Sequence, residues 1–314
     1  MSFVFHIIEN RRYYFIFSGI VITLGLLAMA ISFFATGSPF RVGVDFRSGT
    51  RFELQFTEPV TENQLRDVFG QFGITSPSII ALRGEGLQNA WQIRSEFVEP
   101  GVGLAIQQAL GEQVAPLVEG GSLVTSVSPS IGNEVTRAAI VAVLVAAVVI
   151  LFYIIVVFRQ VPNPFRYGTS AVIALFHDIF VVLSFAAVTG YLLGWEVDAL
   201  FLTAVLTVVG FSLQDTIVIF DRMRENIAKR PSESLETVAN RSILETVHRS
   251  LVTQLSAMFV MVALLLFGGL SIRPFIATMF VGLLSGTYSS IFIAVPLLVS
   301  WEKGDIPLLK GSTA

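Results

Sequence analysis

Six apolar runs constrain this chain more than any other feature. Tyr14–Phe34, Ala138–Phe158, Thr169–Leu193, Ala199–Phe220, Leu251–Leu270 and Phe275–Val299 are each close to the roughly 20 residues that an α-helix needs to cross a bilayer. The chain as a whole holds too little polar material to cover a water-facing surface. Only 14% of the 314 residues are charged and 54% are hydrophobic, against about 25% charged in a soluble domain. This balance excludes an ordinary soluble globule, a disordered chain and a fibre, and it predicts a polytopic α-helical membrane protein with six transmembrane helices. The first run is longer than a signal-peptide core of roughly 7–15 residues and has no convincing small-residue cleavage site after it, so it reads as a retained span.

The basic residues give the orientation. Arg11, Arg12, Arg159, Arg166, Arg222, Arg224, Lys229, Arg230, Arg241, Arg249, Lys303 and Lys310 all fall on one side of the six spans, and the short opposite loops hold only Arg273. Basic residues collect on the cytosolic side, so both termini are expected inside. Residues 1–36 then form the inner N-terminus and first span, 37–135 an extracytoplasmic domain, 136–300 the remaining five spans with an inner loop at about 221–250, and 301–314 an inner tail. The net charge of −3, without a basic block, gives no footing for nucleic acid. The chain has no cysteine, so any domain outside the membrane must be held by its own core.

Residues 37–135 break the apolar pattern. Arg51–Phe56 alternates like a half-buried strand, and Thr61-Glu62-Asn63-Gln64 has capping-box spacing opening a helix to Phe72. Ser78–Arg83 and Ala90–Ser95 read as strands around a Gly84-Glu85-Gly86 turn, Gly103–Leu117 as a helix and Ser122–Ser128 as a closing strand. The order β-α-β-β-α-β predicts a small α+β ferredoxin-like domain. It occurs once, beside five spans with tiny outer loops, so the chain reads as one half of an assembly whose other half is a partner.

Chemistry is expected where polar groups interrupt the spans, because a charge at a helix centre costs at least about 2.5–3.5 kcal/mol. Span three carries His177-Asp178, span four Gln214-Asp215-Thr216, and span five follows His248-Arg249 with Thr253, Gln254 and Ser256. At 1.5 Å per residue, Asp178 and Asp215 lie at similar depth in the cytosolic half, within reach of Arg249. Burial favours a carboxyl's neutral form and a nearby guanidinium its charged form. A proton-carrying Asp215 with Arg249 as switchable counter-ion therefore fits the pattern. A static ion pair at Asp215, a plain topology signal at Arg249 and a helix–helix hydrogen bond at His177 fit it too. His177 and Asp178 point about 100° apart, and the chain has three histidines in all, so neither a metal nor another cofactor is expected beyond protons as coupling ion. No nucleophile elbow, phosphate loop or hydrolase carboxylate pair is present, so no catalytic residue is assigned. Gly282, Gly286 and Gly210 read as points of close helix approach.

Several strings resemble the SecD/SecF family of bacterial protein-export membrane proteins, specifically its SecF members. Val42-Gly43-Val44-Asp45-Phe46-Arg47-Ser48-Gly49 resembles the family's G-[IV]-D-F-x-G-G, with Ser48 in place of a glycine, and Ser126–Glu134 its V-G-P-x-[VI]-G-x-E, with Pro129 and Gly132 in register. Ala174–Asp178 resembles A-L-x-H-D. Gly210–Asn226 resembles G-[YF]-S-[IL]-N-D-T-[IV]-V-x-[FY]-D-R-x-R-E-N, with Gln214 for the asparagine, and the later motifs at Asn240–Ser250 and Gly282–Ser290 follow in order. The resemblance implies a resistance–nodulation–division membrane fold and a complex with SecD. It also implies association with the SecYEG channel and YidC- or YajC-type membrane partners, and proton-motive-force-driven promotion of late export of a translocating preprotein across the cytoplasmic (inner) membrane. It links Asp215 and Arg249 to proton passage, with Asp178, His177 and Gln214 beside them, and makes Asp45, Phe46, Gly49, Pro129, Gly132, Gly210, Gly282 and Gly286 motif positions. A half-size proton-driven exporter of lipids or small hydrophobes and a non-energised scaffold are the alternatives.

Overall fold

The structure, a computed structural model, describes residues 6–82, 88–269 and 272–305. The chain divides into two compact units, 1–40 with 142–195 and 200–314, and 41–141 with 196–199.

The first unit is helical. Six helices are long and apolar enough to cross a membrane: α1 (Arg11–Thr36), α5 (Pro129–Val157), α6 (Pro164–Leu193), α7 (Ala199–Lys229), α8 (Leu235–Phe267) and a last span made of α9 (Arg273–Ser289), a π-helical turn (Ser290–Ala294) and α10 (Val295–Lys303). Most helices run past their apolar run. Pro164 starts α6 at a first-turn position, where its missing N–H costs nothing, and Ser234 caps α8 by accepting from Thr237 N at 3.2 Å. The π turn sits just ahead of Pro296, which has no N–H for the preceding turn; a widened ladder accommodates that loss. The last span is two-thirds buried, α6 and α7 less so, and α1, α5 and α8 show most of their surface. Phe158 and Tyr167, stacked on each other, and Phe220, edge-on to both, with centroids 5.2–6.1 Å apart, pack with Met223, Ile243 and Leu298 in the core of this unit.

The second unit is α+β. A four-stranded antiparallel sheet in the order β2-β3-β1-β4 is made of β1 (Gly49–Phe56), β2 (Ser78–Leu82), β3 (Ala90–Ser95) and β4 (Leu117–Val127). Phe52, Leu54 and Phe56 of β1 point to one face. There they pack with Leu65 and Phe69 of α3 (Glu62–Gln71) and Ile106 and Leu110 of α4 (Pro100–Gln113). The capping box opens α3 as its sequence predicts: Gln64 accepts from the Thr61 backbone N–H at 2.9 Å. Three elements differ from their expected bounds, β1 by starting at Gly49 rather than Arg51. The second helix starts at Pro100 rather than Gly103, because proline's fixed φ suits a first turn. The closing strand starts at Leu117 rather than Ser122. Gly120, at φ 73°, takes up a register shift opposite Leu54–Phe56 and lets the pairing continue. The expected Gly84-Glu85-Gly86 turn, Arg83 and Lys310 lie outside the described residues.

Candidate functional site

In the helical unit, α7 carries polar groups on two sides. Asp178, midway along α6 and 1% exposed, is surrounded by donors. Its Oδ2 accepts from Ser212 Oγ of α7 at 2.6 Å and Ser289 Oγ of α9 at 2.7 Å. Its Oδ1 accepts from Ser285 Oγ at 2.6 Å and faces His177 Nδ1 at 3.2 Å. Three helices are thereby knotted at one carboxylate. The knot requires close backbones. A Cβ on Gly286 would come within 2.9 Å of Ser212 Cβ, and one on Gly282 would overlap Val208. Next to it, Thr216 and Ser290 share a hydroxyl contact of 2.8 Å, and Ser290 Oγ donates to Ser212 O at 3.1 Å. His177 lies 6.0 Å from the Tyr288 ring, and Tyr288 Oη donates to the Tyr14 carbonyl at 3.0 Å.

The other side of α7 is sparser. Asp215, midway along α7 and 5% exposed, accepts from Gln254 Nε2 of α8 at 2.8 Å and lies beside the Ser250 side chain. The second atom of that amide, Gln254 Oε1, is buried with no partner among the described residues. No ion pair joins Asp215 to Arg249 among the described residues. Arg249 instead faces a cavity of about 270 Å³, shared with Val218, Asp221, Arg222, Glu225, Glu245 and Thr246 at the C-terminal half of α7. Arg222 bridges Glu225 at 2.7 Å and Glu245 at 2.6 Å there. Gln214 lies on the exposed face of α7. Gly210, on the same face, has no atom within 4 Å of where a Cβ would stand, so its expected close approach is not made among the described residues.

Sequence reasoning missed Ser250 as a partner of Asp215, and it treated Ser285 and Ser289 as small packing residues. Their i, i+4 spacing on a span adjoining a buried carboxylate is the signal that marks them as donors. Among the described residues no group of three or more His, Asp or Glu is placed to hold a metal.

In the α+β unit, the string from Val42 to Gly49 forms a one-turn helix, α2 (Val44–Arg47), and a tight step into β1. Gly49 has φ 127°, and a Cβ there would lie 2.6 Å from Ser95 O. Ser48 has φ 65° and ψ 164°, a conformation that glycine adopts far more readily. Gly132, one turn after Pro129 opens α5, passes the Ser48 backbone so closely that a Cβ would lie 3.0 Å from its nitrogen. Thr136 Oγ1 donates to the Phe46 carbonyl at 3.1 Å. Asp45 Oδ2 accepts from the Ala199 backbone N–H at 3.0 Å.

Residues 106–304 match the family model described as Protein export membrane protein SecD/SecF, C-terminal, and residues 33–60 match the SecD/SecF GG Motif. The chain belongs to the SecD/SecF family. It is 39% identical to the protein translocase subunit SecF of Anaerolinea thermophila over 96% of this chain and 95% of that one. It is 32% identical to the protein translocase subunit SecDF of Bacillus subtilis, over 95% of this chain but 38% of the relative. The crystal structure of SecDF from Thermus thermophilus, described as a translocon-associated membrane protein, superposes with a TM-score of 0.77 at 30% identity, covering 96% of this chain and 40% of that one. This SecF-family chain is thus an accessory subunit of the Sec protein translocase and a multi-pass protein of the inner membrane. The lipid-exporter alternative has no support among these relatives.

Proposed function

We propose that this chain couples the proton motive force to late steps of protein export, with Asp215 as the proton carrier. The observation that carries the reading is the partner set of Asp215: a buried carboxyl in mid-span that, among the described residues, accepts from a neutral amide, lies beside a neutral hydroxyl and has no counter-ion. A buried charge without a counter-ion is costly, and this carboxyl gains or loses a proton without breaking an ion pair. The Gln254 amide suits both forms. Its N–H donates to the anion, and a rotation of the amide turns the unpartnered Oε1 toward a protonated carboxyl. Arg249 neighbours Ser250 in sequence and faces the polar cavity. Swinging from that cavity toward Asp215 makes it the switchable counter-ion, and the cavity is the route by which water reaches the site. Asp178 and His177 hold the helices around this event.

The two relatives called SecDF are more than twice as long as the matched region, which supports a SecD-type half as partner. Gln214 and Gly210 on the exposed face of α7 suit a polar, close-packed helix contact with that half. The SecYEG channel, a translocating preprotein and YidC- or YajC-type proteins complete the proposed surroundings. The domain at 37–135 lies on the extracytoplasmic side, and both termini are inside, as the basic residues predict. The test is preprotein export into vesicles holding the full complex, with and without a proton gradient. An Asp215→Asn complex is expected to export only at the gradient-free rate, and a gradient response equal to wild type overturns the assignment.

A further inference from the structure

Beside Asp215, and apart from the Asp178 carboxylate, α7 meets the last span at a second polar point. Thr216 of α7, 2% exposed, and the fully buried Ser290 at the start of the π turn bring their hydroxyls to 2.8 Å. Both also reach the Ser212 carbonyl, Ser290 Oγ donating at 3.1 Å and Thr216 Oγ1 at 3.2 Å. That carbonyl already takes the Thr216 backbone N–H, because α7 runs unbroken from Ala199 to Lys229. A carbonyl oxygen has two lone pairs, so one is left for two hydroxyls.

Each hydroxyl has one proton to give, which leaves two arrangements. In the first, Thr216 donates to Ser290 and Ser290 to the Ser212 carbonyl, so two bonds tie α7 to the last span. In the second, Ser290 donates to Thr216, and Thr216 bonds back to its own helix one turn earlier. One bond then ties the helices, and back-bonding of this kind bends a helix. The neighbouring Ser289 donates to Asp178 of α6 at 2.7 Å. Successive residues point about 100° apart, so one serine serves α6 and the next serves α7.

Thr216 directly follows Asp215, so the rotation of α7 that seats Thr216 on Ser290 also fixes where Asp215 points. Ser212, held by Asp178, is one point of attachment on this helix. A helix held at one point still pivots about it, and Thr216, one turn on, supplies the second. A carboxylate about 5 Å from the helix axis moves about 1.7 Å for a turn of about 20°. The 2.8 Å bond from Gln254 does not survive that displacement. We propose that Thr216 and Ser290 are positioning residues that set the rotation of α7, and thereby whether Asp215 meets Gln254. The inference deepens the proton reading above and rests on it.

Loss of either hydroxyl leaves the other with an acceptor. Without Thr216 Oγ1, Ser290 still donates to the Ser212 carbonyl, and without Ser290 Oγ, Thr216 does. Neither deletion strands a buried donor, so folding is little affected. The test measures preprotein export into vesicles holding the full complex, as the gain in rate brought by a proton gradient, beside thermal unfolding of each complex. Thr216→Val and Ser290→Ala are each expected to lower the gain roughly ten-fold, the change that about 1.4 kcal/mol brings, with the unfolding midpoint close to wild type. Thr216→Ser, which keeps the hydroxyl, is expected to retain the gain. Gln254→Leu is expected to lower it by a similar factor, and Thr216→Val added to Gln254→Leu to lower it no further, since both act on one contact.

An unchanged gain in both Thr216→Val and Ser290→Ala overturns the proposal. So does a roughly hundred-fold loss in the double variant, which marks two independent effects, and so does equal loss in Thr216→Val and Thr216→Ser, which marks packing. Asp215→Asn is measured beside them. If it loses the gain while Thr216→Val and Ser290→Ala keep it, only the rotation proposal fails. If it keeps the wild-type gain, the proton reading itself fails, and with it the role given to this pair.

Discussion

The two sides of α7 treat the same residue type in opposite ways. Asp178 and Asp215 are both buried, and each sits midway along its helix. Asp178 takes three hydroxyl hydrogen bonds of 2.6–2.7 Å from two neighbouring helices and faces a histidine. Asp215 meets one amide and one hydroxyl, both from α8, with a buried amide oxygen left over. A saturated carboxylate fixes helix positions, since any change of its state must displace a donor. An under-coordinated one is free to change partners. On the proposed reading, depth in the membrane alone does not separate a structural acid from a working one; the count and kind of donors does.

The largest contrast is expected from variants of the two aspartates. Asp215→Asn is expected to remove the gradient-dependent part of export completely while leaving thermal unfolding of the purified complex close to wild type. Asp178→Ala is expected to do the reverse first. Three hydroxyls lose a common acceptor, at a cost of about 3 kcal/mol or more given roughly 1.5–3 kcal/mol per hydrogen bond to a charged group, read as a lowered unfolding midpoint and poor assembly. If Asp178→Ala is as stable as wild type, the contrast between the two sides breaks.

Gly282→Val tests the backbone approach that makes the knot possible. Overpacking against Val208 is expected to cost about 1–3 kcal/mol, with the gradient response intact in the molecules that fold. Ser285→Ala or Ser289→Ala alone removes one donor among several and is expected to cost about 1–2 kcal/mol, less than Asp178→Ala. The smallest effect concerns Glu196, a buried carboxyl outside the spans. Its folded-state affinity for a proton is raised by burial, so the native state binds more protons than the unfolded one just above the ordinary range. Stability of the intact chain therefore falls as pH rises from about 4.5 toward the raised value. Glu196→Gln is expected to flatten that slope in thermal melts taken across the same range.

Much of this was legible in the sequence, for physical reasons that differ by region. The six spans follow from length and apolarity, and β1 and α3 from alternation and a capping box. The buried acids stand out because charge is expensive in lipid. What stayed hidden depends on helix rotation and long-range pairing. Gln254 points inward to Asp215, whereas Thr253 and Ser256 of the same helix donate to their own backbone carbonyls at Arg249 and Val252. Those three residue types look alike in a list of polar positions. The expected closeness of Asp215 and Arg249 is not an ion pair in this structure, because depth fixes height along a helix but not the direction in which a side chain swings. Asp45 sits in the one-turn helix α2 and Glu196 in a short loop, where nothing local announces a partner that far away in the chain. The π turn before Pro296 was hidden too, because a proline marks a gap in the hydrogen-bond ladder but not whether the ladder widens or bends there.

The most direct test of the account is a pH-step infrared difference spectrum of the membrane-embedded complex, following the protonated-carboxyl band in wild type, Asp215→Asn and Asp178→Asn. One component of the band is expected to appear and disappear with pH in wild type and in Asp178→Asn and to be missing from Asp215→Asn, where the other carboxyls, Glu196 among them, still contribute theirs. A titrating band that survives in Asp215→Asn and vanishes in Asp178→Asn would contradict the division of labour between the two sides of α7.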